Sequence, residues 1–340
     1  MKLHRYLQSV ATTGGSADGN AVGAEIALAI GNFDGVHRGH QSILQSTVSA
    51  AARAGLTPAA LTFHPLPREF FAKLRADPSL APPRLMSATE KLAAFYRAGI
   101  EHAFMPIFDA RFAAQSPDDF IAKLVGMKVR WLMVGEDFRF GAKRMGDVSA
   151  LRAAGARHGF AVEAMADIAD IAGGVTVRVS STAVREALLA GQLAVAERML
   201  GRRYAIAGRV THGKKLGRTL GFPTANVSLS GRKPALAGVF AVKLRLVNRG
   251  LEGVASKVGD TLLGVANLGT NPAVRNETAY DGRHHLEVFL FDYSGDLYGK
   301  RVEVAFIEKV REEQNFASLD ALVVQMHSDC NAAKLILRGI

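Results

Sequence analysis

Cysteine is nearly absent. Cys330 is the single one in 340 residues, which excludes a disulfide framework and any multi-cysteine zinc site. A reducing, cytoplasmic setting is therefore expected. Aromatic residues are scarce too, at 7%, and none interleave with basic residues as a base-stacking platform requires. No apolar run is long enough to span a bilayer. The opening MKLHRYLQSVATTGGSADGN has no apolar core of a signal peptide. The expectation is a protein with no membrane span and no nucleic acid as its primary ligand.

What is present is an ordinary globular composition, 49% hydrophobic and 21% charged, with a net charge of +11. The basic residues are scattered, with only short pairs such as Lys214-Lys215. That distribution fits a solvated surface with affinity for nucleotides and other small phosphorylated ligands. The length suits two domains.

From residue 24 to about 190 strand-like and helix-like segments alternate. AEIALAIG ends at Gly31, and HQSILQSTVSAAARAG follows as a helix stopping at Gly55. TPAALTFHP, HAFMPIF, VRWLMVGEDF and FAVEAMAD read as further strands. SATEKLAAFYRAGI opens with the Ser87–Glu90 spacing of a capping box. This rhythm predicts a Rossmann-like α/β domain, a parallel sheet covered by helices, over residues 1–200. Ligands then bind beyond the carboxyl ends of the strands, where the loops after Ile30 and Val134 lie. Near Gly201 the rhythm changes to short alternating strands separated by turns. That predicts a small antiparallel β-barrel over residues 201–340, closed by a helix capped at Ser318.

Four stretches could carry chemistry. In GNFDGVHRGH, His37 and His40 lie about one helical turn apart. A zinc site would need further ligands at suitable spacing, and none is near except His64. A strand end leading into a helix instead offers free amides and a positive dipole end to a phosphate. Gly35 and Gly39 allow close backbone approach, and two imidazoles can donate to an oxyanion. In VRVSSTAVREAL, hydroxyls at a helix start with Arg185 in the first turn read either as an N-cap or as a second anion cradle. GRVTHGKKLGRTLGFPTAN nearly matches a Walker A loop, but Lys215 stands where Ser or Thr is required and Pro223 bars the helix, so a P-loop is rejected. Thr224 and Asn226, two apart on an extended segment, face the same way and offer hard oxygen atoms to Mg2+. Glu287 lies in an apolar strand and is either structurally paired or a general base.

In this order the motifs resemble the prokaryotic bifunctional riboflavin kinase/FAD synthetase family, over residues 24 to 335. The first half carries GNFDGVHRGH, TFHPLPREFF, PPRLMSATEK, SPDDFIAKL, VGEDFRFGAKRMGD and VSSTAVREAL. The second carries GRVTHGKKLGRTLGFPTANV, GVFAV, GVANLGTNP, EVFLFDYSGDLYGKRVEV and FASLDALVVQMHSD.

The resemblance implies a kinase that converts riboflavin and ATP to FMN, and an adenylyltransferase that converts FMN and ATP to FAD and pyrophosphate. By position, His37 and His40 would stabilise the ATP phosphates within a nucleotide loop of Gly31, Asn32, Phe33, Asp34, Gly35 and Gly39. Ser181, Thr182 and Arg185 would hold the pyrophosphate end. In the kinase, Thr224 and Asn226 would bind Mg2+, Gly213, Lys215 and Gly217 the nucleotide, and Glu287 would accept the proton of the flavin hydroxyl. Asp137, Asn271 and Arg311 would contact flavin, although this chain has TNPAVR where many members carry Arg-Pro-Thr. The implied partners are small molecules, and the implied state is a cytoplasmic monomer or weak homo-oligomer. A single-function adenylyltransferase with a degenerate barrel is disfavoured by the intact GFPTAN and Glu287. A nucleic-acid-binding protein on the same folds would be retained by polynucleotide at moderate salt.

Overall fold

A computed structural model describes residues 1–8, 10–11, 23–172, 175–213, 220–247, 257–270 and 284–339. The chain forms two compact units, one of Met1–Pro82 with Lys91–Ala169 and one of Pro83–Glu90 with Asp170–Ile340. Among the described residues no helix is long and apolar enough to cross a membrane.

The first unit is built on β1 (Lys2–His4), the short pair β2 (Val10–Ala11) and β3 (Gly23–Ala24), then β4 (Ile26–Ile30), β5 (Thr57–Leu61), β6 (His102–Phe104), β7 (Val129–Gly135) and β8 (Ala161–Met165). Its helices are α1 (Arg38–Ala54), α2 (Pro67–Leu74), α3 (Ala88–Arg97, whose first three residues belong to the second unit), α4 (Ala110–Ala113), α5 (Pro117–Gly126) and α6 (Val148–His158). Six strands pair in the order β1-β6-β5-β4-β7-β8, all parallel. All five residues of β4 are buried, because both faces of the sheet are covered. Ile26, Leu28 and Ile30 share a core with Phe120, Ile121 and Leu124 of α5 and with Leu151 and Ala154 of α6. On the other face Ala27 packs with Ala50 and Ala51 of α1 and with Trp131 and Met133 of β7. The parallel layered sheet expected from the alternating pattern is thus present. α1 stops where expected, at Gly55 in the left-handed conformation (φ 66°).

A two-stranded sheet of β9 (Ala169–Ala172) and β10 (Val175–Arg178) precedes α7 (Ser181–Leu189) and α8 (Leu193–Leu200) of the second unit, which are separated at Gly191 (φ 70°). β11 (Ala205–Thr211), β12 (Thr224–Val227), β13 (Gly238–Val247), β14 (Lys257–Gly269), β15 (His285–Leu290) and β16 (Arg301–Arg311) close into a barrel in the order β11-β12-β15-β14-β13-β16. The extended segment of Thr224 and Asn226 is thereby a full barrel strand, and closure leaves no unpaired edge. α9 (Leu319–Arg338) starts at Ser318, whose Oγ accepts from the Ala321 amide at 3.2 Å. It covers one outer face, where Cys330, Ala333 and Leu337 meet Val239, Ala241 and Val265.

The capping box forms as read: the Ser87 amide donates to Glu90 Oε2, and the Glu90 amide donates to Ser87 Oγ. Glu90 also does more than the sequence showed. Its Oε1 accepts from the Ala207 amide of β11 at 2.7 Å, and Arg232 Nη1 donates to its Oε2 at 2.6 Å. Burial alone would raise the Glu90 pKa. Arg232, with the Ser87 and Ala207 hydrogen bonds, outweighs it and holds the carboxyl below its ordinary value.

Candidate active sites

The first site starts at the end of β4, where the strand order reverses. The chain steps from β4 through β5 to β6 on one side and returns to β7 on the other. The loops after β4 and β7 therefore leave adjacent strands at the topological switch point. In the first loop the Gly31 amide donates to the Leu61 carbonyl at 3.1 Å. Phe33 is fully buried and packs edge-on against Phe95 and His40, each at 5.1 Å between ring centroids. A Cβ on Gly31 would stand 3.2 Å from that ring, which explains the glycine. Phe33 can offer a ligand only its backbone, since its side chain anchors the loop.

Phe33, Gly35 and Val36 all have positive φ, at 48°, 82° and 39°. For a β-branched residue such as Val36 this is strained backbone, which costs about 1–3 kcal/mol and clusters at functional sites. Asp34 is buried, and Gly39 lies in the first turn of α1. His37 caps α1: its Nδ1 accepts from the His40 amide at 3.4 Å, so the Nε2–H of the neutral ring is left to donate. The two rings stack at 3.7 Å between centroids, with planes 21° apart. Burial, then the charges of His37 and Lys91, push the His40 pKa well below that of an ordinary imidazole. At neutral pH His40 is therefore an uncharged ring, stacked on His37 at a helix start.

Lys91 escaped the sequence reading. It is 4% exposed, and its Nζ donates to the Asn32 carbonyl at 2.7 Å and to Thr62 Oγ1 at 3.1 Å. Thr62 Oγ1 in turn donates to the same carbonyl at 3.1 Å. A buried ammonium thus holds the loop from behind. Asp137 is exposed in the loop after β7.

Ser181, Thr182 and Arg185 belong to the second unit. Ser180 Oγ accepts from the Ala183 amide at 3.1 Å, the N-cap of α7. Ser181 is half-buried and Thr182 exposed. Arg185 follows the first helical turn instead of lying in it. It is buried, and its Nε donates to the Pro83 carbonyl at 2.6 Å.

The second site is a row across the barrel. Asn226 on β12 lies directly opposite Glu287 on β15, and Thr211 on β11 opposite Asn226. On the other side Glu287 faces Asn267 on β14. Directly paired residues share a face, so Thr211, Asn226, Glu287 and Asn267 form one polar line, with Thr224 one step along β12. This is the outer face that carries Val265 and Phe289, two residues from Asn267 and Glu287. Thr224, Asn226 and Glu287 are half-buried. A side chain on Gly213 would collide with the Asn226 amide, so the chain closes tightly over Asn226 there. Hydroxyl, amide and carboxylate oxygens at this spacing are hard donors that fit Mg2+.

Arg311 is engaged by the protein. Its Nε and Nη2 donate to Asp329 Oδ1 and Oδ2, both at 2.8 Å, and its Nη1 donates to the Glu312 carbonyl. Lys215, Gly217 and Asn271 lie outside the described residues.

A parallel sheet with a switch-point loop and a closed barrel with a polar row give a two-part α/β and β architecture, and the family models that match it are those of transferases. The FAD synthetase family model matches residues 20–183, and the riboflavin kinase family model matches residues 200–337. A bifunctional riboflavin kinase/FMN adenylyltransferase of Pseudomonas fluorescens is 43% identical, with 90% of this chain and 91% of the relative covered. The Haemophilus influenzae relative of the same description is 41% identical, with coverage of 94% and 97%. The chain belongs to the bifunctional riboflavin kinase/FMN adenylyltransferase family. Its fold resembles a Streptococcus pneumoniae structure titled as a macrolide-efflux protein, with a TM-score of 0.72, 26% identity and 96% of each chain covered.

Proposed function

We propose that the chain makes FMN from riboflavin and then FAD from FMN, using one ATP in each step, with residues 201–340 carrying the first reaction and 1–200 the second. What supports this reading is the pair of stacked imidazoles at the loop after β4 and the facing pair of Asn226 and Glu287 on the barrel.

In the kinase step Glu287 accepts the proton of the flavin's terminal hydroxyl. The oxygen bonds to the γ-phosphorus of ATP, and ADP leaves. Thr224 and Asn226 hold Mg2+, which when bound offsets the phosphate charge. In the adenylyl step a phosphate oxygen of FMN bonds to the α-phosphorus of ATP, and pyrophosphate leaves. His37 and His40 donate to the phosphate oxygens as charge builds up there. The loop amides position the nucleotide, and Ser181, Thr182 and Arg185 hold its pyrophosphate end. Asp137 serves the flavin of the adenylyl step. Arg311, fixed by Asp329, serves the flavin of the kinase step by shaping the surface beside the row.

The protein acts in the cytoplasm as a monomer or weak homo-oligomer, which size-exclusion chromatography of the purified chain tests. The functional reading is tested by chromatography of the products from riboflavin, ATP and Mg2+. FMN should appear first and FAD after it, with pyrophosphate released only in the second phase. If neither riboflavin nor added FMN is consumed, the reading fails.

A further inference from the structure

We propose that Asn267 is a polyol subsite of the kinase centre, where its amide oxygen accepts a hydroxyl of the ribityl chain of riboflavin. The inference rests on the reading of Glu287 as the proton acceptor.

Three observations carry it. First, the strand register puts Asn267 directly across from Glu287, on the side away from Asn226. Neighbouring strands lie about 4.8 Å apart, so the three side chains form a line in which Glu287 is central. Second, Asn267 Oδ1 is buried and has no hydrogen-bond partner among the described residues. A buried acceptor without a donor is unfavourable and calls for an explanation in a folded protein. Third, the next position along the row is Val239, opposite Asn267 on β13. Val239 is buried in the apolar cluster under α9.

These neighbours select the ligand's chemistry. The missing partner must be a hydrogen-bond donor or a cation. An anion is excluded by the Glu287 carboxylate beside it. A divalent cation would find oxygen atoms only on Asn267 and Glu287, with apolar Val239 on the other side, fewer than the roughly six such an ion takes. A neutral hydroxyl suits both neighbours, and riboflavin carries several on the chain that ends at the reacting oxygen. When that oxygen is at Glu287, a hydroxyl a few carbons back lies one strand spacing away, at Asn267. The order Asn226, Glu287, Asn267 then reads as phosphate end, reacting hydroxyl and polyol.

The test uses steady-state kinase kinetics of the full chain with Asn267→Ala, with lumiflavin as competitive inhibitor. Lumiflavin has the flavin ring but a methyl in place of the ribityl chain. The KM for riboflavin should rise about three- to tenfold, the effect of one net hydrogen bond. The inhibition constant of lumiflavin should not change, and kcat should fall less than KM rises. Asn267→Ser, which keeps a shorter acceptor, should recover part of the loss. Retained lumiflavin inhibition reports that the barrel of each variant is folded. An unchanged KM, or equal weakening of riboflavin and lumiflavin, overturns the proposal. Full kinase activity in Glu287→Gln would instead overturn the reading of the base on which it rests.

Discussion

At the residue scale, the loop after β4 depends on a lysine behind it, Lys91. Lys91 supplies a charge behind the loop, and that charge is one of the causes that keep His40 neutral. Lys91→Met removes two donations, to the Asn32 carbonyl and to Thr62. It should cost about 1–3 kcal/mol and slow FAD formation while FMN formation persists. It should also raise the His40 pKa, because a repelling charge is gone, which NMR titration of the His40 ring would show. Movement of the pKa in the opposite direction would count against this account. Lys91 was not legible because its role depends on Asn32 and Thr62, two distant positions joined only by the parallel sheet. His37 and His40 were legible because their spacing lies within one helix start. Asn267 was not, because its significance comes from register with a strand twenty residues further on.

At the scale of elements, two attachments matter. Glu90 joins the start of α3 to β11 and Arg232. The ion pair is buried, with side-chain exposures of 5% for Arg232 and 12% for Glu90. Glu90→Ala breaks this buried ion pair and the hydrogen bonds from Ser87 and Ala207, and should cost about 3–5 kcal/mol, read as a fall in the urea midpoint. The sequence revealed the cap, since Ser87 and Glu90 are local, and hid the ion pair, since Arg232 is far along the chain. The second attachment is β1, which pairs with β6 at the sheet edge. His4 and His102 share a hydrogen bond of 2.8 Å and stack at 5.0 Å. Burial, then His4 and Lys2, lower His102 from 6.5 to about 4, and burial with Lys2 also lowers His4. The unfolded chain therefore binds protons that the folded chain does not. Stability present above pH 6.5 should decline as pH falls toward 4. Denaturation midpoints at pH 7 and pH 5 would show the drop, and His102→Gln should reduce it. Three residues are too few for β1 to be recognised by periodicity.

At the scale of the whole molecule, the change of rhythm in the sequence matches a parallel sheet followed by a closed barrel. The compact units divide at Ala169 and Asp170. α7 and α8 continue the βα alternation in sequence, yet α8 packs against β16. Pattern reports the type of each element, whereas the surface it is buried against depends on contacts far along the chain. The central claim is that one chain holds two separate reaction centres, with FMN the product of one and the substrate of the other. It is tested most directly by product analysis of two single variants, each given riboflavin or FMN with ATP and Mg2+. His40→Ala should turn riboflavin into FMN and stop there, with FAD formation reduced about 100-fold or more. Glu287→Gln should lose FMN formation by about 100-fold or more and still make FAD from supplied FMN. Loss of both activities in either variant, or retention of both in both, would contradict the account.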